Sequence, residues 1–174
     1  EGIKVRTATP EIKKARRLVM ELLLSLAPEA PKIKAFAQEI GVTRTRFTPK
    51  SDNCIGCGLC VRACDELVGA RAISFAHRGE QRIVEPPFGE EAENCIGCGT
   101  CVQICPTGCI KMEEQGMERK IDKWKRTLKM KACKKCDRPF ISFAEIKFIM
   151  NKAKEQPPAE WFDYCSDCRV IKMI

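Results

Sequence analysis

Twelve of the thirteen cysteines in this chain fall into short, regular spacings, and they are its chemistry-bearing residues. Cys54-Ile-Gly-Cys57-Gly-Leu-Cys60-Val-Arg-Ala-Cys64 and Cys95-Ile-Gly-Cys98-Gly-Thr-Cys101-Val-Gln-Ile-Cys105-Pro106 both read C-x2-C-x2-C-x3-C. Thiolates in that run ligate a cubane [4Fe–4S] cluster, and where two runs occur together the fourth cysteine of each ligates the other cluster. The expected ligand sets are therefore Cys54, Cys57, Cys60 and Cys105 for one cluster, and Cys95, Cys98, Cys101 and Cys64 for the second. Gly56, Gly58, Gly97 and Gly99 let the backbone curl closely around an inorganic core, so that amide N–H groups can point at its sulfurs. Cys133-Lys-Lys-Cys136 and Cys165-Ser-Asp-Cys168 supply four more thiolates. Two C-x2-C knuckles suit a structural zinc, and a third [4Fe–4S] cluster takes the same donors. A zinc would be redox-silent and fold the tail, whereas a cluster would lengthen an electron path. Cys109, in Pro-Thr-Gly-Cys-Ile, is read as a small thiol packed near a cluster.

The cysteine pattern also excludes a disulfide framework, because such frameworks show irregular spacing and normally an even count. Thiolate metal sites imply a reducing compartment, and no signal peptide is visible, so a cytoplasmic location is expected. Leu18 to Ala27 is the longest apolar stretch and is too short and interrupted to span a bilayer. The formal charge of +8 counts cysteines as neutral. Each four-thiolate metal site carries roughly −2, so three of them would leave a net charge of about +2. Much of the basic excess offsets buried anionic centres. No Gly-rich dinucleotide loop, P-loop or histidine-centred catalytic set is present, so no catalytic residue is expected on this chain.

Several elements must position these cysteines. Residues 1–9 read as a short strand, with Ile3 and Val5 alternating. Thr9 is an N-cap with Pro10 at the first helical position and Glu11 in the first turn. Ile12, Ala15, Val19, Leu22, Leu23 and Leu26 follow at helical spacing, until Pro28 and Pro31 break the run. A second helix is expected from about Lys32, with Ile33, Phe36, Ala37 and Ile40 on one face and Gly41 as its stop. Ala72–Phe75 and Arg82–Val84 predict a hairpin around Arg78-Gly79, and Ile110-Lys111-Met112 a matching strand in the second half. His77 reads as a surface residue, and Glu85 to Glu93 as a solvated loop. Between Arg119 and Arg138 half the residues are Lys or Arg, a face read as solvated, with docking to an acidic partner second and nucleic acid a distant third. Trp124 to Ala132 alternate as a strand leading into Cys133. Ser142-x-x-Glu145 forms a capping box for a helix lined by Phe143, Ile146, Ile149, Met150 and Ala153 and ended by Pro157-Pro158. Trp161, Phe162 and Tyr164 are expected to cover the tetra-cysteine site.

Glu1-Gly-Ile-Lys-Val-Arg-Thr-Ala-Thr-Pro-Glu-Ile-Lys-Lys-Ala-Arg-Arg with Glu21-Leu-Leu-Leu, and the stretch from Cys54 to about Lys111, resemble the iron–sulfur region of the large electron-input subunit of respiratory complex I. The related subunits of NAD-linked and iron-only hydrogenases share it. Arg71-Ala-Ile-Ser-Phe-Ala-His-Arg-Gly and Pro87-Phe-Gly belong to the same likeness. Ala27-Pro28 stands where that family tends to have His-Pro, and no cysteine precedes Cys54, so the resemblance implies a two-cluster module without upstream clusters. An Asp after the fourth cysteine, here Asp65, also suits that family. The compact layout is similar to the small iron–sulfur subunits of tungsten-dependent benzoyl-CoA reductases, which implies relay of electrons to a tungsten–pterin subunit of the aldehyde oxidoreductase type.

The expected fold class is α+β, a two-cluster bacterial ferredoxin-like core with N-terminal helices and a C-terminal zinc-ribbon-like tetra-Cys tail. The expected division is 1–50 for the N-terminal strand and helices, 51–115 for the two-cluster domain and 116–174 for the tail. The expected role is a non-catalytic electron-transfer subunit in a hetero-oligomer, served by an upstream donor protein and delivering to a catalytic oxidoreductase subunit. A free ferredoxin-like carrier and a hydrogenase- or NADH-linked subunit are the alternatives, and a nucleic-acid-binding iron–sulfur protein is remote.

Overall fold

A computed structural model of the chain describes residues 2–170 and divides it into two units, Glu1–Cys57 with Cys105–Cys109, and Gly58–Ile104 with Ile110–Ile174. The first unit is built on two helices, α1 (Pro10–Leu26) and α2 (Pro31–Ile40). Thr9 Oγ1 accepts the Ile12 N–H at 3.4 Å, and Pro10 occupies the first turn, where its missing N–H costs nothing. Gly41 ends α2 with φ 77°, as a C-terminal glycine in the left-handed region should.

The buried face of α1 differs from the expected one. Met20, Leu24 and Ala27 are buried, against Ala30, Ile33, Ala37 and Val42, while Ala15, Val19 and Leu22 are exposed. The sequence offers two overlapping apolar stripes on this helix, and only the one that α2 meets is covered. Met20 and Leu24 stand one turn apart on one face of the helix, and Ala27 is the C-cap just beyond it. In α2, Ile33 and Ala37 are buried as expected but Phe36 is half exposed. Residues 2–9 form no strand, and Ile3 and Val5 lie exposed, because an alternating pair without a neighbouring strand has nothing to bond. Lys50 N–H donates to Ser25 O at 2.7 Å, and Glu29 N–H to Asn53 Oδ1 at 2.9 Å. These bonds pin the segment entering Cys54 onto the helix pair, and Ile55 packs against its core.

The second unit begins with α3 (Leu59–Arg62), which continues as a π-helical turn over Ala63–Val68. Asp65 after Cys64 allows that continuation, and Gly69 ends it with φ 76°. In the other half α4 (Thr100–Ile104) stops at Cys105-Pro106, since proline cannot extend a helix in that position. β1 (Ser74–Ala76) and β2 (Ile83–Glu85) form the expected antiparallel hairpin, and His77 lies at its exposed turn.

A four-stranded antiparallel meander follows: β3 (Glu113–Gln115), β4 (Glu118–Ile121), β5 (Arg126–Ala132) and β6 (Pro139–Ser142). Ile110-Lys111-Met112 is therefore not a strand. The two-residue turn Gly116-Met117 pairs Gln115 with Glu118 and Glu113 with Lys120, which sets the register three residues further on. On β4, Arg119 and Ile121 point inward, and on β5 Leu128 and Met130 do. Trp124 belongs to the 3₁₀ turn Asp122–Trp124 rather than to the strand, yet it is almost fully buried. A register shift at Lys131/Ala132 kinks β5 just before Cys133.

α5 (Phe143–Lys152) is capped by Ser142, whose hydroxyl accepts the Glu145 N–H at 3.0 Å. The helix ends at Lys152, before Pro157, and Phe143 on its expected inner face is exposed. A 3₁₀ segment, Ala159–Asp163, leads to α6 (Ser166–Val170). Among the described residues no helix is long and apolar enough to cross a membrane.

Candidate metal centres

The second predicted ligand set is assembled wholly within the second unit. Cys64, Cys95, Cys98 and Cys101 line one cavity, walled by Val68, Ile73, Ile96, Ile121 and Trp124. The four cysteines arrive on three pieces of backbone. Cys64 comes from the π-helical turn, Cys95 and Cys98 from the loop before α4, and Cys101 from α4 itself. Donors surround the sulfurs. Ala72 N–H donates to Cys64 Sγ at 3.3 Å, and Trp124 Nε1–H to Cys101 Sγ at 3.4 Å. Thr100 Oγ1 lies 3.3 Å from Cys98 Sγ, placed to donate to a thiolate.

Burial pushes the Cys95 thiol up to about 11 against the opposing Gly97 backbone hydrogen bond, and the neighbouring cysteine sulfurs add to the rise. Burial also raises Cys101, with the Trp124 indole pulling the other way. An apolar cavity containing four sulfurs disfavours their ionisation unless positive charge sits among them. Metal ions reverse that balance and hold thiols as thiolates. Sulfur donors, apolar walls and N–H groups aimed at the sulfurs together match what an iron–sulfur cluster needs from a protein.

Of the first predicted set, Cys54, Cys57 and Cys105 belong to the first unit and Cys60, buried in α3, to the second. Cys105 Sγ lies 3.5 Å from Thr107 Oγ1 and 3.6 Å from Cys109 Sγ. Burial of Cys105 works to raise its pKa, but hydrogen bonds from the Thr107 hydroxyl, the Thr107 and Cys109 amides and the Cys109 thiol leave it lowered. Cys109 thus stands as a thiol beside a ligand candidate.

The tail cysteines converge most tightly. The sulfurs of Cys133, Cys136, Cys165 and Cys168 all lie within 4.8 Å of one another, the one group of metal-ligating side chains so close among the described residues. Cys136 Sγ and Cys165 Sγ are 3.8 Å apart. Cys165 N–H donates to Cys133 Sγ at 3.4 Å, and Arg138 to Cys165 Sγ at 3.5 Å. The knuckle turn is closed by Asp137 N–H to Cys133 O at 2.9 Å, and Lys134 N–H to Asp163 O at 2.8 Å joins the two knuckle segments. Burial alone would raise Cys133, but the amides of Cys165, Lys135 and Cys136 outweigh it and favour its thiolate. Cys168 is raised, first by burial and then by the sulfurs beside it. Of the aromatics expected to cover this site, Phe162 is buried but Trp161 is more than half exposed, over the Arg169 guanidinium.

Among the residues that act on the Cys95–Cys101 loop, sequence reasoning gave another role to three in particular. Trp124 was read only as a strand residue, Arg119 as part of a solvated basic face, and Ser142 as a helix cap alone. A lone tryptophan within a lysine-rich stretch was the available signal for the first. The other two depend on contacts 22 and 46 residues apart in sequence, which no local pattern carries.

Residues 49–112 match the family model of the 4Fe-4S dicluster domain. That stretch contains both C-x2-C-x2-C-x3-C runs, so it is an iron–sulfur, ferredoxin-like region of the electron-transfer kind.

Proposed function

We propose that the chain is the electron-transfer subunit of an oxidoreductase complex, holding two [4Fe–4S] clusters in its dicluster region. The observation that carries this reading is the cavity of Cys64, Cys95, Cys98 and Cys101, where three polar donors and apolar walls surround four sulfurs. Crossed ligation completes it: Cys64 joins the Cys95–Cys101 set, and Cys105 joins Cys54, Cys57 and Cys60. Bound there, the clusters supply one-electron chemistry, at potentials that hydrogen bonding and exposure set within roughly −700 to +450 mV. The protein's own residues bring the four sulfurs together, exclude water with Val68, Ile73, Ile96 and Ile121, and aim donors at the sulfurs.

At the tail, spacing favours a single tetrahedral ion. Four thiolates at Zn–S of about 2.3 Å stand about 3.8 Å apart. The sulfurs here lie within 4.8 Å of one another, with one pair at 3.8 Å. A cubane binds each thiolate to a separate iron and needs them spread further. We therefore assign Cys133, Cys136, Cys165 and Cys168 to a structural zinc.

A subunit role, rather than a free carrier, is supported by α1. Its Leu18, Val19 and Leu22 are 41%, 55% and 41% exposed in one stripe, next to Arg16 and Arg17. Contiguous exposed apolar side chains rimmed by charge mark protein–protein contacts. The resemblance described above names the class of partner, a tungsten–pterin subunit of the aldehyde oxidoreductase type as in benzoyl-CoA reductase.

The test is anaerobic purification of the native protein, with iron, sulfide and zinc analysis, EPR after dithionite reduction, and size-exclusion chromatography. About 8 Fe per chain is expected, since each cubane holds 4. One zinc and a co-eluting larger subunit are also expected. A monomer with no bound partner would sink the subunit role in favour of a free carrier, and markedly fewer irons would sink the pair of clusters.

A further inference from the structure

Three consecutive carbonyl groups of the second cluster loop are each held by a side chain from the C-terminal segment. Arg126 Nε donates to Cys95 O at 3.3 Å, Ser142 Oγ to Ile96 O at 2.5 Å, and Arg119 Nη1 to Gly97 O at 2.6 Å. A fourth group, the Trp124 indole, reaches Cys101 Sγ itself at 3.4 Å. The turn that carries Trp124 is fixed in turn, by Ala92 N–H donating to its carbonyl at 3.1 Å. Ser142 is fully buried, and Trp124 and Arg119 nearly so.

The geometry has an electrical consequence. In a trans peptide the C=O and N–H of one unit point in opposite directions. Holding the carbonyls of Cys95, Ile96 and Gly97 toward the sheet therefore turns the N–H groups of Ile96, Gly97 and Cys98 away from it. The Gly97 backbone hydrogen bond on Cys95 is that orientation realised. Hydrogen bonds to the carbonyls also polarise these peptides further, in a site of low dielectric. Arg119 and Arg126 are each paired with a carboxylate, Glu114 and Glu91, so the effect is one of oriented dipoles more than of net charge.

We propose that the C-terminal sheet is a clamp that sets the reduction potential of the cluster held by Cys64, Cys95, Cys98 and Cys101. It rests on the two-cluster reading above. Reduction adds negative charge to the sulfurs, and N–H donors aimed at them favour the reduced state, so the clamp raises that potential. Arg119, Arg126 and Ser142 are positioning residues that work through the loop backbone, and Trp124 works directly on a ligand sulfur. The segment past Gln115, which lies outside the matched dicluster domain, thereby acts on redox chemistry as well as on the fold.

The experiment is an EPR-monitored redox titration of the full chain, as wild type and as Trp124→Phe, Arg126→Gln and Thr107→Val. Two separable couples in wild type with about 8 Fe per chain, at 4 per cubane, establish the underlying reading. Against that baseline, Trp124→Phe and Arg126→Gln are expected to lower the same couple, each by about tenfold in the ratio of oxidised to reduced protein at fixed poise. That is about 59 mV for a one-electron couple. Thr107→Val, which removes a donor beside Cys105, is expected to move the other couple. Iron content serves as the control for loss of folding. Should Trp124→Phe lose iron, Arg126→Gln alone decides, because Arg126 stands at the first position of β5 with its side chain 20% exposed. Unshifted couples in an iron-replete variant, or equal shifts of both, would overturn the clamp while leaving the two-cluster reading intact.

Discussion

Gly97 follows Cys95 by two residues, with φ at 75°, and a Cβ there would run into the Leu128 side chain. Both facts disfavour any larger residue. The left-handed conformation costs an L-residue about 1–2 kcal/mol, and Leu128 on β5 is buried with little freedom to retreat. Gly97→Ala is therefore expected to lower iron occupancy and melting temperature together, measurable by iron analysis and a thermal scan of the anaerobic protein. Cys109→Ala makes the opposite case. Its sulfur touches Cys105 but completes neither four-cysteine set, so iron per chain is expected to stay unchanged. At this scale the ligand candidates were legible because cysteine spacing is a local property of sequence. Trp124 was not legible as a partner of Cys101, since its indole reaches a sulfur 23 residues away through a turn that breaks the strand pattern.

Among the elements, α5 depends most on one side chain. Ser142 Oγ accepts from Glu145 N and donates to Ile96 O, so one buried hydroxyl both caps the helix and holds the cluster loop. Loss of an N-cap costs about 1 kcal/mol. An orphaned buried carbonyl adds roughly 1–3 kcal/mol. Ser142→Ala should therefore destabilise the second unit by about 2–4 kcal/mol, read as a lower denaturant midpoint. Glu145 in the same first turn carries a raised pKa, because burial disfavours its charge more than the nearby Arg119 favours it. A carboxyl raised in the fold contributes most below its unfolded value of about 4.3 and loses that contribution as pH rises through the folded value. Glu145→Gln should then be more stable than wild type at pH 7 and show a flatter stability profile from pH 4 upward, in parallel melts across that range. Equal profiles would show that burial does not raise this carboxyl. The capping motif of α5 and the Thr9-Pro10 start of α1 were readable from sequence, since a cap is made within one turn. The covered face of α1 was not. Its sequence carries apolar residues around much of the helix, and only the arrival of α2 selects Met20, Leu24 and Ala27.

Across the whole molecule, the formal charge of +8 makes sense once its metal sites are filled, since each four-thiolate site contributes roughly −2. The tail site is the one whose filling can be varied independently, because its four sulfurs come only from the two knuckles. A structural zinc contributes folding energy directly and is lost when one thiolate is removed. Cys165 is the ligand to change: it is buried, its amide bonds Cys133 Sγ, and Arg138 bonds its sulfur. Cys165→Ser should abolish bound zinc while leaving about 8 Fe per chain, at 4 per cluster. Its melting temperature should fall, because β5 and β6 are joined through the Cys133–Arg138 turn, which a bound ion would tie to the second knuckle. If the tail instead held a cluster, wild type would contain about 12 Fe and no zinc, and Cys165→Ser would release about 4 Fe, at 4 per cubane. Because β5 and β6 also carry Arg126, Leu128 and Ser142 to the cluster loop, loosening the knuckle should lower the same couple that Trp124→Phe lowers. A zinc-free, iron-replete Cys165→Ser protein with both couples at their wild-type potentials would show the tail to be mechanically separate from the cluster it adjoins.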